Sequence, residues 1–407
     1  MSGPRSRAPK AAKVRFRGPL TPFVGELEKR LRRSGYTSHT TVNLLRLFAD
    51  VSRWLEAGDL HATDLSGPTI DRYLADRRQV GRRSAFTRAS FAPLVAMLID
   101  KDLLASTEPD EPQGPDEELL SCFRRYLREE RGLASSTTGA YVLRARRFLD
   151  DCGGTSRLGE IGAVEVTAAV LRSAEVSVGS GQYFVSALRA FLRYLYLEGT
   201  LDKDLSTTAL TVTGRRRSPL PSGITHRDAK LLLDSCDRRR NRGRRDFAVL
   251  VVLVRLGLRA SEVAGLTLDD IDWRAGEITV HGKGGRIDRL PLPSEVGEAI
   301  AAYLRRGRPH GECRRLFLRA TAPIGPIGRG GISSVVRRAC RAAGLPEVGA
   351  HRLRHTAASE MLAAGAPLEE IGQVLRHASA LSTATYARVD LVSLRTAARP
   401  WPGSLAR

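Results

Sequence analysis

RRDFAVLVVLVRLGLRASEVAGL, residues 244–266, is the stretch on which the reading of this chain turns. Phe247 to Val254 is the longest uninterrupted apolar run in the sequence, and it is too short to span a bilayer. It reads as an apolar helix with Arg259 emerging from its end and Glu262 three positions further on. A guanidinium leaving so apolar a run is costly unless it is paired or aimed at an anion. Both remain open here: an Arg259–Glu262 pair that caps the helix, or a cation held for an anionic ligand.

Working outward from Thr225, HRDAKLLLDSC (226–236) reads as a helix. GEITVHGKGGRIDRLPLP (276–293) reads as a β-hairpin, because β-branched alternation flanks a Gly-rich turn. SEVGEAIAAYLRRG (294–307) reads as a capped helix, and the remainder to about Thr396 is mostly helical. The expected fold class is mainly α, with a small hairpin or sheet making the C-terminal domain α+β.

Upstream, helical segments run from Phe23 to Leu104, and the same order of segments returns after a Pro- and acid-rich stretch, STEPDEPQGPDEE (106–118). Gly35 and Thr40-Thr41 recur 97 positions later as Gly132 and Thr137-Thr138, and Leu94, Leu98 and Leu104 recur as Phe191, Leu195 and Leu201. Two tandem copies of one small helical module are expected, each opening its second helix with a Thr N-cap. Two unrelated bundles of similar periodicity are the competing reading. The chain then divides into a disordered basic arm (1–20), a first helical module (21–106), a linker (107–115), a second module (116–208), a basic linker (209–223) and the C-terminal domain (224–407).

Lys plus Arg number 65 against 44 Asp plus Glu, a net charge of +21. Such a surplus favours polyphosphate, since each neutralised phosphate releases counterions. A ribosome-like or membrane-surface protein would share it, and only seven of the 65 basic residues are lysines, so part of the surplus reflects an arginine bias. The N-terminus lacks an apolar signal-like region, and the five cysteines form no C-x-x-C pair. The expected location is the cytoplasm, with the nucleoid, and no membrane is expected as a partner. Arg215, Arg216 and Arg217 in the second linker are placed to track a phosphate backbone, or merely to solvate a hinge.

Three further segments carry possible chemistry. Lys283 sits in HGKGG (281–285); an ammonium can give up its proton where a guanidinium cannot, although an exposed turn lysine would look the same. AHRLRHTAASEML (350–362) sets His351, Arg354 and His355 on one helical face. A metal site is disfavoured there, because the Glu of H-E-x-x-H is missing and no carboxylate or Cys set converges. IGQVLRHASALSTATYARVD (371–390) contains His377 and, nine positions later, Tyr386 among small neighbours. Two arginines, two histidines, a lysine and a tyrosine suit a phosphodiester: cations hold the oxygens, a phenol attacks phosphorus, and a lysine or histidine protonates the departing alkoxide.

In order and spacing, GLRASE, HGKGG, HRLRHT, LRHAS and TATYARV resemble the motifs of the tyrosine recombinases, the phage integrase family, over roughly residues 116–400. The resemblance implies a core-binding domain (a small SAM-like helical bundle) before the second linker and a catalytic domain after it, together clamping double-stranded DNA at specific recombination sites. It implies that Arg259 and Arg354 grip the scissile phosphate, that Lys283 protonates the 5′-oxygen leaving group, and that His351 assists proton transfer. His377 would bond the phosphate, and Tyr386 would form a 3′-phosphotyrosyl intermediate with no metal or cofactor. Glu262 would orient Arg259, and His355 would be structural. Arg376 stands where many relatives have glycine and would add a phosphate contact. The first module resembles a duplicated core-binding or arm-binding domain, as in integrases serving mobile elements. A homo-tetramer at synapsis and accessory DNA-bending proteins are the implied partners. A type IB topoisomerase and a non-catalytic DNA-binding protein are the alternatives.

Overall fold

The computed structural model describes residues 14–79, 81, 86–104, 114–213 and 223–376. The first module comprises α1 (Val24–Arg33), α2 (Ser38–Ala57), α3 (Gly67–Gln79) and α4 (Ala92–Asp100). The second comprises α5 (Pro115–Glu129), α6 (Ser135–Cys152), α7 (Ala163–Val176) and α8 (Val178–Leu197). The C-terminal domain holds α9 (His226–Asp234), α10 (Asn241–Leu256), α11 (Ala260–Gly265), β1 (Ile271–Asp272), β2 (Glu277–His281), β3 (Ile287–Pro291), α12 (Ser294–Arg306), α13 (Arg329–Ala342), α14 (Ala350–Ala363) and α15 (Leu368–Val374).

Each of the three regions has its own apolar core. The described residues of 14–104 and 223–376 form one compact unit and those of 114–213 a second. Inside the first unit the backbone N–H of Ile324 donates to the carbonyl of Ser34 at 2.8 Å. Residues 14–20, expected as part of a disordered arm, depart from that expectation. Leu20 is buried, its N–H donates to Ser52 Oγ, and Val14 and Phe16 pack on the first core. Likewise Ala209 and Val212, expected in the second linker, pack on the second core, where Arg189 and Gln182 bond their carbonyls.

Positions related by 97 residues behave alike within their own modules. Gly35 and Gly132 both have positive φ, α2 and α6 begin at Ser38 and Ser135, and Thr41 and Thr138 are both buried. Leu94 and Phe191, and Leu98 and Leu195, are core residues. The expected Thr caps are corrected: each helix starts before its Thr pair. Thr37 caps α2 by accepting from Thr40 N–H, whereas Ala134 precedes α6 and offers no side-chain acceptor. In α5, Pro115 at the first position and Asp116, Glu117 and Glu118 in the first turn fit the exposed N–H groups and positive end of the helix.

In the C-terminal domain, every residue from Ala248 to Val254 is buried, as a helix apolar all round requires. The expected hairpin is there, with Glu277 opposite Pro291 and His281 opposite Ile287, and β1 adds a third antiparallel strand. Two residues are too few for an alternation pattern, so that strand left no signal. Helix α12 begins after Pro293 and makes no side-chain cap bond, so the cap expected for it is absent.

Gly257 ends α10 in the left-handed region, with φ 58°. A Cβ there would come within 2.6 Å of Leu375 Cδ2 and 3.3 Å of Ala357 Cβ, both in packed surroundings. Gly257→Ala is therefore expected to lower stability by about 1–2 kcal/mol from backbone strain alone. Gly25, helical and with open space beside it, is the control, where alanine should add about 0.5–1 kcal/mol. Chemical denaturation of both variants checks this; equal midpoints would contradict it.

Candidate active site

Because Gly257 turns the chain out of α10, Arg259 does not extend that helix. It is the residue before α11, with φ −71° and ψ 150°. Its backbone N–H donates to Glu262 Oε2 at 2.8 Å, and its Nη1 donates to Glu262 Oε1 at 2.7 Å. The pair with Glu262 thus exists, at the start of α11, and the Arg259 side chain remains 37% exposed while Glu262 is 3% exposed.

Arg354 lies on α14, one turn after His351, and is buried. Its Nη1 donates to the Gly257 carbonyl at 2.8 Å, and its Nη2 donates to the Leu375 carbonyl. Leu375 is itself fixed by packing with Ala358 and Ile371. The carbonyl after Leu375, that of Arg376, accepts from Arg259 Nη2 at 3.5 Å. Two consecutive peptide groups therefore receive one guanidinium each.

His351 and His355 stack edge to face, ring centroids 4.5 Å apart. Protein packed round the His351 ring, then the charges of Arg354 and Arg259, hold its pKa below the usual imidazole value. His355 is pushed down to about 4, chiefly by burial and then by His351, Arg352 and Arg354. Both rings are held toward the neutral form, as neighbours of guanidinium groups should be.

Arg376 departs from expectation. Rather than facing solvent for a phosphate, its side chain is 2% exposed and pairs with Glu262 Oε2 at 2.7 Å. The physical reason is the neighbouring carboxylate, which offers a buried cation a closer counter-charge than solvent does. Nothing in the local sequence marked this pairing, nor the use of the Gly257 and Leu375 carbonyls as acceptors.

Lys283 stands at the tip of the β2–β3 turn, where the Gly282 N–H closes onto the Arg286 carbonyl at 2.7 Å; only its backbone is described. His377 and Tyr386, and with them Arg215, Arg216 and Arg217, lie outside the described residues. Among the described residues, no group of His, Cys, Asp or Glu could hold a metal ion, and no helix is long and apolar enough to cross a membrane.

A cationic site of this kind, on a helical domain with a small antiparallel sheet, can be compared with known proteins. Residues 223–391 match the phage integrase family. The protein y4rA of Sinorhizobium fredii (strain NBRC 101917 / NGR234), described as an integrase/recombinase, is 40% identical over 393 residues, covering 95% of both chains. The tyrosine recombinase XerD of Mycobacterium tuberculosis (strain CDC 1551 / Oshkosh) is 32% identical over 310 residues, 71% of this chain and 97% of its own. Among solved structures, the XerH site-specific recombinase bound to a palindromic difH substrate shares the fold, with TM-score 0.53 at 19% identity over 68% of this chain and 83% of the other. The chain belongs to the phage integrase family, the tyrosine recombinases.

The histidine pair sets a pH dependence. An imidazole with folded pKa about 4, against 6.5 when unfolded, binds fewer protons in the folded chain. Its stabilising contribution is complete above about pH 6.5 and is lost as pH falls toward 4. The Tm of the wild type should fall across that window, and His355→Gln should flatten the fall. An unchanged slope in the variant would contradict the assignment.

Proposed function

We propose that this recombinase cuts and rejoins double-stranded DNA at specific sites by attack of the Tyr386 hydroxyl on a phosphodiester held by Arg259 and Arg354. The observation that carries the reading is the meeting of those two guanidiniums on successive carbonyls, those of Leu375 and Arg376, directly before His377. Arg259, 37% exposed, already offers donors to solvent. Arg354 is buried, with Nη1 and Nη2 on the Gly257 and Leu375 carbonyls, so its grip on a phosphate would be made from inside the protein, where a charge-assisted bond is strong.

The chemistry follows from charge. A phenol of pKa about 10 is a poor nucleophile at neutral pH, and neighbouring cations stabilise the developing phenolate. His351, held toward its neutral form, can accept the phenolic proton. The Tyr386 oxygen bonds to phosphorus as the bond to the 5′-oxygen breaks, and Lys283 supplies the proton that the leaving oxygen needs. His377 bonds a phosphate oxygen. The 3′-phosphotyrosyl ester conserves the bond, so a 5′-hydroxyl from another strand can reverse the step without ATP.

The second module, residues 116–208, is read as the core-binding domain, and the first, residues 21–106, as its duplicate contributing a further contact to DNA or to a partner subunit. Copies of this chain are expected to pair on DNA and form a tetramer at synapsis, since a palindromic site, such as that bound by XerH, is matched by a two-fold pair of protomers. Integration or excision of a mobile element is the proposed use. Similarity over 95% of the length of an integrase/recombinase supports this above relaxation by a topoisomerase.

On a nicked suicide duplex in the presence of chelator, the wild type should accumulate a covalent protein–DNA adduct, and Tyr386→Phe should form none. Arg259→Ala and Arg354→Ala should each slow strand cleavage by about 10³–10⁵. Because Arg354 is buried and Arg259 partly exposed, Arg354→Ala should also lower Tm by more than Arg259→Ala does. Cleavage at near wild-type rate in either arginine variant, or an adduct in Tyr386→Phe, would overturn the assignment.

A further inference from the structure

Arg376 is a charged residue placed against two ordinary preferences at once. Its backbone is left-handed, φ 56°, a conformation that L side chains rarely adopt. Its guanidinium is also sequestered from water, 2% exposed, and among the described residues Nε and Nη1 have no hydrogen-bond partner. Glycine would occupy such a position without strain. What the side chain does contribute is one specific contact, Nη2 to Glu262 Oε2 at 2.7 Å.

That carboxylate is the one that holds Arg259. Oε1 takes Arg259 Nη1, and Oε2 takes both the Arg259 backbone N–H and Arg376 Nη2. A second link runs the other way, from Arg259 Nη2 to the Arg376 carbonyl. Arg259 and Arg376 are thus joined through a side-chain carboxylate and through the backbone, closing a ring around Glu262.

We propose that Arg376 is a positioning residue for strand cleavage: it locks the Glu262 carboxylate, and through it the Arg259 guanidinium, in the orientation that meets the phosphate. The proposal rests on the reading of Arg259 as a phosphate-binding group. Two physical consequences follow. A Glu262 side chain bonded from both sides loses the freedom to swing, so Arg259 keeps one geometry. One carboxylate between two guanidiniums also leaves the cluster with positive charge, whereas Arg259 and Glu262 alone would be a neutral pair. Neither consequence requires Arg376 to touch DNA, which its burial opposes.

The test compares single-turnover cleavage of a nicked suicide duplex, at saturating protein, with the affinity of the full chain for the intact duplex over a salt series. Arg376→Gly relieves the backbone strain and removes the ion pair. Cleavage should slow by about 10- to 100-fold, while Kd and its salt slope stay at wild-type values. Arg376→Met, which keeps the length and drops the charge, should behave the same way and serves if the glycine variant melts at the assay temperature. Arg376→Lys should recover part of the rate. In a Glu262→Gln background, Arg376→Gly should change the rate by less than about threefold, because the group it acts through is already altered.

Cleavage at the wild-type rate in Arg376→Met would overturn the proposal. So would a weakened Kd with a salt slope lower by about one at unchanged cleavage rate, the signature of a direct phosphate contact. Full additivity with Glu262→Gln would do the same. An adduct that persists in Tyr386→Phe would instead overturn the site reading, leaving the comparison of Arg376 variants with wild type intact.

Discussion

Two successive carbonyls, those of Leu375 and Arg376, receive the guanidiniums of Arg354 and Arg259, and the rest of the site depends on where that short segment lies. Cations that repel one another stay together only if acceptors are fixed among them. Here the acceptors are backbone groups and one carboxylate, Glu262, itself buried. The fold supplies them from two distant stretches of chain: the α10–α11 junction, with Gly257 and Glu262, and the end of α15, with Leu375. The apolar core around α10 supports the first stretch, and the packing of Leu375 with Ala358 and Ile371 supports the second.

The same arrangement explains the electrostatic character of the neighbouring side chains. Close to guanidinium groups, the two histidines of α14 are held toward neutrality, the state that the proton-accepting role proposed for His351 needs. Glu262 balances part of the charge without abolishing it. The proposed phosphodiester ligand would need that remainder, since it brings a negative charge of its own.

Much of this could be read from residue order, and what could not has identifiable causes. The Arg259–Glu262 pair and the common face of His351, Arg354 and His355 follow from helical spacing, which is local. Gly257 lies just past the apolar run, between Leu256 and Leu258, so Arg259 reads as the end of α10 although it precedes α11. Carbonyl acceptors leave no mark in a sequence, because every residue has one. Arg376 looked like a surface phosphate contact because it adjoins His377, while its partner, Glu262, lies 114 positions away. The 97-residue offset marked positions that behave alike, such as Gly35 with Gly132 and Thr41 with Thr138, but not the caps. Thr37 rather than the repeated Thr pair starts α2, and Val14, Phe16 and Leu20, scattered among basic residues, pack where a loose arm was expected.

A crystal structure of the recombinase trapped covalently on a nicked duplex carrying its cleavage site would test the central claim most directly. The account predicts a phosphotyrosyl bond at Tyr386, with Arg259 and Arg354 both within hydrogen-bonding distance of the same phosphate's non-bridging oxygens. A phosphate bound elsewhere, or one reached by neither guanidinium, would contradict it.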